Sequence, residues 1–223
     1  MAKGLKLKTL RNLPPVAGYE RLSLCDWPGR VAAVLFLQGC NFRCQWCHNS
    51  SLVYPEFFTP PLGAEEVESF ILSLDPFLYD GVVVSGGEPL IHPKLVELLL
   101  LIKRKGLKVR LDTNGSLPGQ LQSLFDLGLV DEVAVDYKVP LGLYEVVGAP
   151  GAGLLVKETI ALVAERNTGY VRTTVVPGVH TSRMLSYMAG ELGSVTGDRL
   201  RWVLQPYRKP PAGREADGCR SIA

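Results

Sequence analysis

The sequence predicts an α/β fold in which a parallel sheet is covered by helices on its outside. Short apolar runs alternate regularly with longer segments of helical periodicity, and polar or glycine-rich segments follow the apolar runs. This alternation implies right-handed crossovers between parallel strands. Six strand units are too few for a complete eight-stranded barrel, so a doubly wound open sheet and a partly closed barrel both fit the pattern.

Each predicted element has a local signal. The first strand, at 31–37, is an apolar run between turn residues, and the first helix, at 64–74, carries Val67, Phe70 and Leu74 on one face. The helices at 93–105 and 118–127 end at Gly106 and Gly128. The same signals predict the other elements: strands at 81–85, 107–111, 132–136, 170–176 and 200–204, and helices at 154–166 and 182–192.

Composition excludes several classes of function. The chain has 223 residues, which suits one domain, and 24 basic against 22 acidic residues give a net charge of +2. A charge so near zero argues against nucleic acid as the main partner. The longest apolar runs, such as 31–37 and 96–102, are far shorter than the roughly 18 residues that span a bilayer, and the N-terminus lacks a signal-peptide core. We therefore expect a cytoplasmic protein with no membrane partner.

Chemically distinctive residues follow the predicted strands. In α/β folds of either type, ligands bind at the carboxyl ends of the strands. We therefore expect one shared site, built from segments that follow the six strands in order: Cys40, Gly86-Gly87-Glu88-Pro89, Asp112-Thr113-Asn114-Gly115, Asp136-Tyr137-Lys138, Pro177-Gly178 and Gln205-Pro206-Tyr207-Arg208.

The cysteine loop is the most informative segment. Three of the five cysteines, Cys40, Cys44 and Cys47, lie within eight residues. Clustered thiolates select zinc, copper(I) or iron–sulfur clusters, and three ligands leave one iron of a four-iron cluster open for chemistry. Two other interpretations stay open: His48 completes a structural Cys3His zinc site, or the thiols are simply buried. Cys25 and Cys219 are interpreted as ordinary thiols.

The CxxxCxxC pattern, with an aromatic residue before its last cysteine, resembles the radical S-adenosylmethionine (SAM) enzymes, as does Gly86-Gly87-Glu88-Pro89. Asp26-Trp-Pro-Gly-Arg30 and Cys47-His48-Asn49 resemble the activating enzymes of glycyl-radical proteins. Within that group, the first of these segments and 172–178 resemble the anaerobic ribonucleoside-triphosphate reductase activating proteins. No cysteine lies in 48–85, so the extra cluster insert of some relatives is not expected there.

This resemblance implies a partial (β/α)6 TIM-like barrel. It divides the chain into an N-terminal extension at 1–21, a radical SAM domain at 22–209 and a C-terminal tail at 210–223. It also implies that the three loop cysteines hold a [4Fe-4S] cluster whose fourth iron is chelated by the amino and carboxylate groups of SAM. The implied SAM-binding residues are Trp46, His48, Gly86, Gly87, Glu88, Asp112, Thr113, Asp136, Lys138, Arg172 and Arg208.

For several of these residues the resemblance implies a particular role. The glycines let the backbone approach the methionine amino group closely, and Glu88 either anchors that group or supports its own loop. Lys138 is matched to the SAM carboxylate. Asp112, Thr113 and Asp136 are also candidates for binding a monovalent cation, with a buried Asp–Lys ion pair as the alternative. Arg208 stands where pyruvate formate-lyase activators have a histidine, and a contact from Arg208 to a carboxylate is the alternative role.

The resemblance implies an oxidoreductase that cleaves SAM reductively and removes a hydrogen from a glycine of a partner enzyme. The expected partner is an anaerobic ribonucleoside-triphosphate reductase, with a flavodoxin or ferredoxin as electron donor. One alternative keeps the radical chemistry but acts on a small molecule, as in 7-deazapurine biosynthesis. The other alternative is a metal-stabilised binding module without enzymatic activity, which would not require the strand-end residues.

Overall fold

The computed structural model describes residues 13–197 and 199–208, in which seven strands form one sheet. The strands are β1 (Val16–Ser23), β2 (Ala32–Leu37), β3 (Gly81–Gly86), β4 (Lys108–Thr113), β5 (Glu132–Asp136), β6 (Gly169–Val175) and β7 (Trp202–Pro206). The order across the sheet is the order along the chain, and β2 to β7 are parallel.

Helices connect the parallel strands. The α-helices are α1 (Ser50–Val53), α2 (Ala64–Ser73), α3 (Leu95–Arg104), α4 (Pro118–Asp126), α5 (Ala152–Arg166) and α6 (Ser182–Thr196). Short 3₁₀ turns occupy Pro55–Phe57, Pro89–Ile91 and Leu141–Val147. No single helix in the described ranges is long and apolar enough to cross a membrane; Leu141–Val147 and α5 meet that criterion only as a pair bent by 119°.

The strand order decides between the two predicted architectures. A doubly wound sheet reverses its strand order at one point, whereas here each crossover adds the next strand on the same side. Successive right-handed crossovers therefore place all helices on one face, and the other face becomes the interior of a partial barrel. The expected (β/α)6 arrangement is confirmed, with β1 and β7 at its two edges.

The two faces of the sheet carry different side chains. Alternate residues of the strands, such as Leu35 in β2 and Val84 in β3, join the large core beneath the helices. The residues between them face the barrel interior, where Val34, Val83 and Trp27 form a small separate apolar cluster. In β4, β5 and β6 the interior positions include the charged residues Asp112, Asp136 and Arg172, which line a polar cavity.

The strand β1 was not predicted. It pairs antiparallel with β2 and crosses the expected domain boundary at residue 21. Only Val16 and Ser23 of its eight residues are buried, so this edge strand lacks the alternating apolar pattern that predicts strands. The predicted tail at 210–223, with Cys219, lies outside the described residues.

Candidate functional site

A cavity of about 300 Å³ lies at the carboxyl ends of the strands, within the size range of small-molecule sites. It brings together most of the residues that the sequence predicted: Cys40, Cys44, Trp46, Cys47, His48, Gly86, Gly87, Asp112, Thr113, Asp136, Lys138 and Arg172. The exposed His48 is part of its lining, so the cavity reaches the surface. The parallel register of β2 to β6 explains this convergence, because it places all of these strand ends at one rim.

The cysteine loop is held in shape by its own backbone contacts. The Arg43 guanidinium donates hydrogen bonds to the carbonyl oxygens of Cys40 (2.6 Å) and Phe42 (2.8 Å). The Arg43 backbone N–H donates to the Val147 carbonyl at 2.8 Å, which attaches the loop to the segment before α5. Gly148 permits this contact because a β-carbon there would lie 2.8 Å from the Arg43 β-carbon.

The three loop cysteines are partly buried and line the cavity. Burial raises the pKa of Cys40 and Cys47 and raises that of Cys44 to about 12. The thiols are therefore protonated at neutral pH in the absence of metal, and metal binding has to displace their protons. In the described ranges, no three His, Cys, Asp or Glu side chains come together as the ligands of a single metal ion.

Lys138 is the cation that faces these thiols. Burial is the largest influence on the thiol pKa values and raises them. The positive charge of Lys138 opposes burial and lowers the pKa of all three cysteines. Its ammonium Nζ lies 3.1 Å from Asp136 Oδ2. Burial lowers the Lys138 pKa, but Asp136 and the neighbouring cysteines outweigh burial and raise it above its ordinary value. Lys138 is therefore charged at the position where a negative group beside the cysteine loop would bind.

Lys138 belongs to a chain of ion pairs across three strand ends. Arg172 donates from Nε to Asp136 (2.7 Å) and from Nη1 to Asp112 (3.1 Å), while the buried Arg110 donates to the other Asp112 oxygen at 3.0 Å. Burial raises the pKa of Asp136, but Arg172 and Lys138 outweigh it, and the pKa falls below its usual range. Three cations surround two carboxylates, so the cluster favours a further anionic group.

The same arrangement bears on the monovalent cation that the resemblance implies, which stays a prediction. All four oxygens of Asp112 and Asp136 already accept hydrogen bonds from cationic side chains. Thr113 donates its hydroxyl to Glu88 at 2.8 Å. A cation here would have to compete with Arg172 and Lys138 for the same oxygens. The alternative interpretation of Asp136, a partly buried ion pair with Lys138, is what the structure shows.

Gly86 and Gly87 are required by a close backbone contact that the sequence does not reveal. A β-carbon at Gly86, whose φ is +121°, would lie 2.3 Å from the Leu37 backbone. A β-carbon at Gly87 would lie 1.9 Å from the Gly39 carbonyl oxygen. The two glycines therefore let the end of β3 lie directly against the start of the cysteine loop. Asn49 supports the same contact by donating to the Gly86 carbonyl at 3.1 Å.

Glu88 supports its loop and does not line the cavity. Its carboxylate is fully buried and accepts from Leu90 N (3.0 Å), Thr113 Oγ1 (2.8 Å) and Asn114 N (2.6 Å). Of the two roles that the sequence left open, this is the buttressing one. Burial outweighs these three donors and raises the Glu88 pKa to about 7.

Arg208 also lies outside the cavity lining. Its carbonyl oxygen is 2.7 Å from His48 Nε2, and the His48 ring stacks on Tyr207 at 5.1 Å between centroids. The backbone after β7, and not the Arg208 side chain, thus fixes His48 at the rim. Trp46 is buried and lines the cavity beside it.

Sequence reasoning assigned no role to several polar residues in or beside the cavity, and Asn114 and His180 are two of them. Asn114 lines the cavity, and its Nδ2 lies 2.8 Å from Asn41 Oδ1 and 3.8 Å from Cys40 Sγ. It belongs to a strand-end segment that the sequence singled out, so the same logic could have found it. His180 lies outside the lining but is buried, and its Nε2 is 2.7 Å from the Lys138 carbonyl oxygen. No local signal in the sequence marks it.

A profile of the Radical SAM superfamily matches residues 34–185, which include the cysteine loop and the ends of β3 to β6. The chain belongs to the radical SAM superfamily. Enzymes of this superfamily use a [4Fe-4S] cluster and SAM, and the fold of the chain is the expected partial barrel. The interpretation as a non-enzymatic binding module is therefore wrong.

Two proteins with similar sequences are named as activating enzymes. A protein of Methanocaldococcus jannaschii, provisionally named a glycyl-radical enzyme activating enzyme, is 34% identical over 171 residues, covering 74% of this chain and 69% of the relative. A pyruvate formate-lyase-activating enzyme of Clostridium pasteurianum is 36% identical over 125 residues, covering 52% of this chain and 51% of the relative.

Among solved structures, Streptococcus suis SuiB bound to SAM superimposes with a TM-score of 0.57 at 15% identity. The match covers 78% of this radical SAM enzyme and 39% of the SuiB chain. The chain thus spans about two fifths of the length of that structure. At this identity the similarity concerns the fold alone.

The residues of the cavity fit the two cofactors of the superfamily. Three thiols on one loop are the soft ligands that an iron–sulfur cluster requires. Lys138 places a positive charge beside them, which suits an anionic group such as a carboxylate. The cavity is mixed in character, with Trp46 as an aromatic wall and Thr113 and Asn114 as polar groups.

Proposed function

We propose that this radical SAM enzyme installs a glycyl radical in a partner enzyme. The observation that carries the proposal is the shared cavity: the three cysteine thiols and the charged residues of β4, β5 and β6 open onto one space. When bound, the [4Fe-4S] cluster would supply one electron to SAM, whose C5′–S bond would break to give methionine and a 5′-deoxyadenosyl radical. That radical would take a hydrogen atom from a glycine Cα, leaving the glycyl radical and 5′-deoxyadenosine.

The protein contributes position and charge. Cys40, Cys44 and Cys47 hold the cluster, and Lys138 binds the SAM carboxylate, with Asp136 orienting the lysine through the 3.1 Å ion pair. Arg172 keeps Asp136 ionised and fixes it against β4. Because these charges are already paired before any ligand binds, little reorganisation is needed when SAM arrives.

The adenine end of SAM lies beside Trp46 and His48. Trp46 is a buried wall of the cavity, and His48 is held at the rim by Tyr207 and the Arg208 carbonyl. Gly86 and Gly87 bring the end of β3 against the cysteine loop, so the methionine end of SAM meets the backbone there. Thr113 and Asp112 complete the polar side of the pocket.

The proposed substrate is a glycyl-radical enzyme. Two relatives bear names of activating enzymes for such proteins, which supports this class of partner. The finer proposal, an anaerobic ribonucleoside-triphosphate reductase, is supported by the resemblance of Asp26–Arg30 and 172–178 to its activating proteins. Within the first of these segments, Trp27 packs inside the barrel, so its ring has a structural role. A flavodoxin or ferredoxin supplies the electron.

The test uses the reconstituted full-length protein under anaerobic conditions with a reductant, SAM and a candidate partner. We expect 5′-deoxyadenosine and, in the electron paramagnetic resonance spectrum, a glycyl radical on the partner. Cys44→Ser should abolish both products, whereas Cys25→Ser, which changes an exposed cysteine outside the cavity, should abolish neither. Replacing the target glycine of the partner by alanine should remove the radical signal.

The outcomes separate the alternatives. Deoxyadenosine with a radical on the reductase supports the full proposal, and a radical on pyruvate formate-lyase alone would change the partner. Deoxyadenosine without any glycyl radical, together with turnover of a 7-deazapurine precursor, would establish the small-molecule alternative. If the intact cluster neither binds nor cleaves SAM, the proposed chemistry is refuted.

A further inference from the structure

We infer that His180 is a positioning residue that holds Lys138 in place for binding the carboxylate of SAM. This inference rests on the proposed SAM site. His180 lies on the loop between β6 and α6 and is not part of the cavity lining, so it acts through its neighbours. It is buried, with 8% of its surface exposed.

His180 joins three of the loops that surround the cavity. Its Nε2 lies 2.7 Å from the carbonyl oxygen of Lys138, on the loop after β5. Its Nδ1 lies 3.0 Å from the backbone nitrogen of Val176, at the end of β6. Its ring packs edge-to-face against Trp46 of the cysteine loop, with centroids 6.0 Å apart. A single imidazole therefore connects the lysine loop, the β6 loop and the cysteine loop.

The hydrogen bonds define the state of the ring. The Val176 backbone nitrogen has only a proton to donate, so Nδ1 must be the unprotonated acceptor. The Lys138 carbonyl can only accept, so Nε2 must carry the proton. The imidazole is thus a neutral Nε2–H tautomer with both nitrogens used. A second bond, from the His180 backbone N–H to the Val176 carbonyl at 2.9 Å, fixes the residue within its own loop.

The position of the Lys138 backbone matters because it sets where the side-chain ammonium lies relative to Asp136 and to the cysteine loop. Its Nζ pairs with Asp136, two residues back at the end of β5, and its charge acts on all three loop thiols. The other backbone contact of Lys138, from its N–H to the Tyr144 hydroxyl, is long at 3.4 Å. Of these two contacts to the Lys138 backbone, the short bond from His180 is therefore the stronger.

Two substitutions separate the two ends of the imidazole. In His180→Gln, the longer amide reaches the place of Nε2 and keeps a donor for the Lys138 carbonyl, while the Val176 contact is lost. In His180→Asn, the shorter amide keeps an acceptor for Val176 but does not reach Lys138. Both variants replace a buried ring by a smaller amide and lose one hydrogen bond, so their general cost to folding is similar.

The experiment measures SAM binding to the cluster-loaded full chain by equilibrium dialysis, and amide hydrogen exchange of residues 138–144 by mass spectrometry. We expect His180→Asn to weaken SAM binding about five- to tenfold, the value of one net hydrogen bond, and to speed exchange in 138–144. We expect His180→Gln to stay within about twofold of the wild type in both measurements.

A double variant shows whether the effect passes through Lys138. Lys138→Met removes the charge, and adding His180→Asn to it should weaken SAM binding no further, because the positioned group is already gone. Equal losses of affinity in His180→Gln and His180→Asn, or additive losses with Lys138→Met, would overturn the inference. Faster exchange without weaker binding would also overturn it, since the histidine would then only stabilise the loop.

The same experiment distinguishes a failure of the proposed function from a failure of the inference about His180. If the cluster-loaded wild type does not bind SAM, the proposed function fails, and with it the role of Lys138 toward a carboxylate. The exchange measurement still decides the remaining part of the inference: identical exchange of 138–144 in the wild type and in His180→Asn would show that His180 does not hold the lysine loop.

Discussion

Glu88→Gln tests whether burial or hydrogen bonding has the larger effect on the pKa of the Glu88 carboxylate. Two effects oppose each other. Three donors, from Leu90, Thr113 and Asn114, favour the ionised carboxylate, whereas complete burial favours the protonated one. Burial is the larger effect, since the Glu88 pKa is raised from 4.5 to about 7. Glutamine is a neutral group of nearly the same shape, so it removes the titration, although its amide nitrogen cannot accept a hydrogen bond as the second carboxyl oxygen does.

The size of the effect follows from the pKa difference. The folded state binds its proton more tightly than the unfolded chain, so it carries more protons between pH 4.5 and about 7 and loses stability as the pH rises through that window. At about 1.36 kcal/mol for each pH unit, the raised pKa corresponds to about 3 kcal/mol. Relative to the wild type, Glu88→Gln should therefore gain up to about 3 kcal/mol of stability between pH 4.5 and pH 8. It should start about 1–3 kcal/mol less stable near pH 4.5, because its amide nitrogen cannot accept from one of the three donors.

The assay is urea unfolding of the full chain between pH 4.5 and 8, with thiols reduced and iron chelated. Glu158→Gln, which changes an exposed glutamate in α5, is the matched control and should show a far smaller pH-dependent difference. If Glu88→Gln is less stable than the wild type at pH 8 by the same amount as at pH 4.5, the reasoning is refuted. The three donors would then balance burial, because the pKa of Glu88 would be equal in the folded and unfolded chain. The constant deficit would be the cost, about 1–3 kcal/mol, of the donor that glutamine leaves unpaired.

Three further substitutions probe the packing and charge of the site. Gly87→Ala places a methyl group 1.9 Å from a backbone oxygen and should destabilise the fold by more than about 2 kcal/mol in urea unfolding, whereas Gly119→Ala, with open space around it, should be neutral or slightly stabilising. Asn114→Ala removes a donor directed at Cys40 Sγ and should make the midpoint potential of the bound cluster more negative in a redox titration; an unchanged potential would contradict this. Arg172→Met leaves two carboxylates short of a partner and should cost about 3 kcal/mol of unfolding free energy at pH 7, with partial recovery in Arg172→Lys.

The sequence predicted the site well where the relevant residues are neighbours along the chain. The cysteine loop is one continuous segment, and the β3, β4 and β5 segments each follow a recognisable strand. Their convergence follows from the rule that parallel strands end at one rim. The sequence pattern therefore assigns Cys44, Asp112 and Lys138 to one site, and the cavity contains all three.

The same reasoning identified the right glycines for an incomplete reason. A Gly-Gly pair after a strand signals that a side chain has no room, but the sequence does not say what occupies the space. The structure shows that the Leu37 and Gly39 backbones do. Glu88 is similar: its type and place are visible in the sequence, whereas its three donors come from segments that only folding brings together.

The sequence by itself determined the superfamily, the α/β alternation and the rim at which chemistry takes place, because each depends on local patterns or on short motifs. The strand pattern alone fitted an open sheet or a barrel, the motif resemblance implied the barrel, and the strand order confirmed it. Only the tertiary structure added β1 at the edge and gave His180 its contact with Lys138. These features depend on contacts between residues far apart in the chain: 42 residues separate His180 from Lys138. A side chain that works by touching a distant backbone oxygen leaves no periodic or local trace, so the folded structure is needed to reveal it.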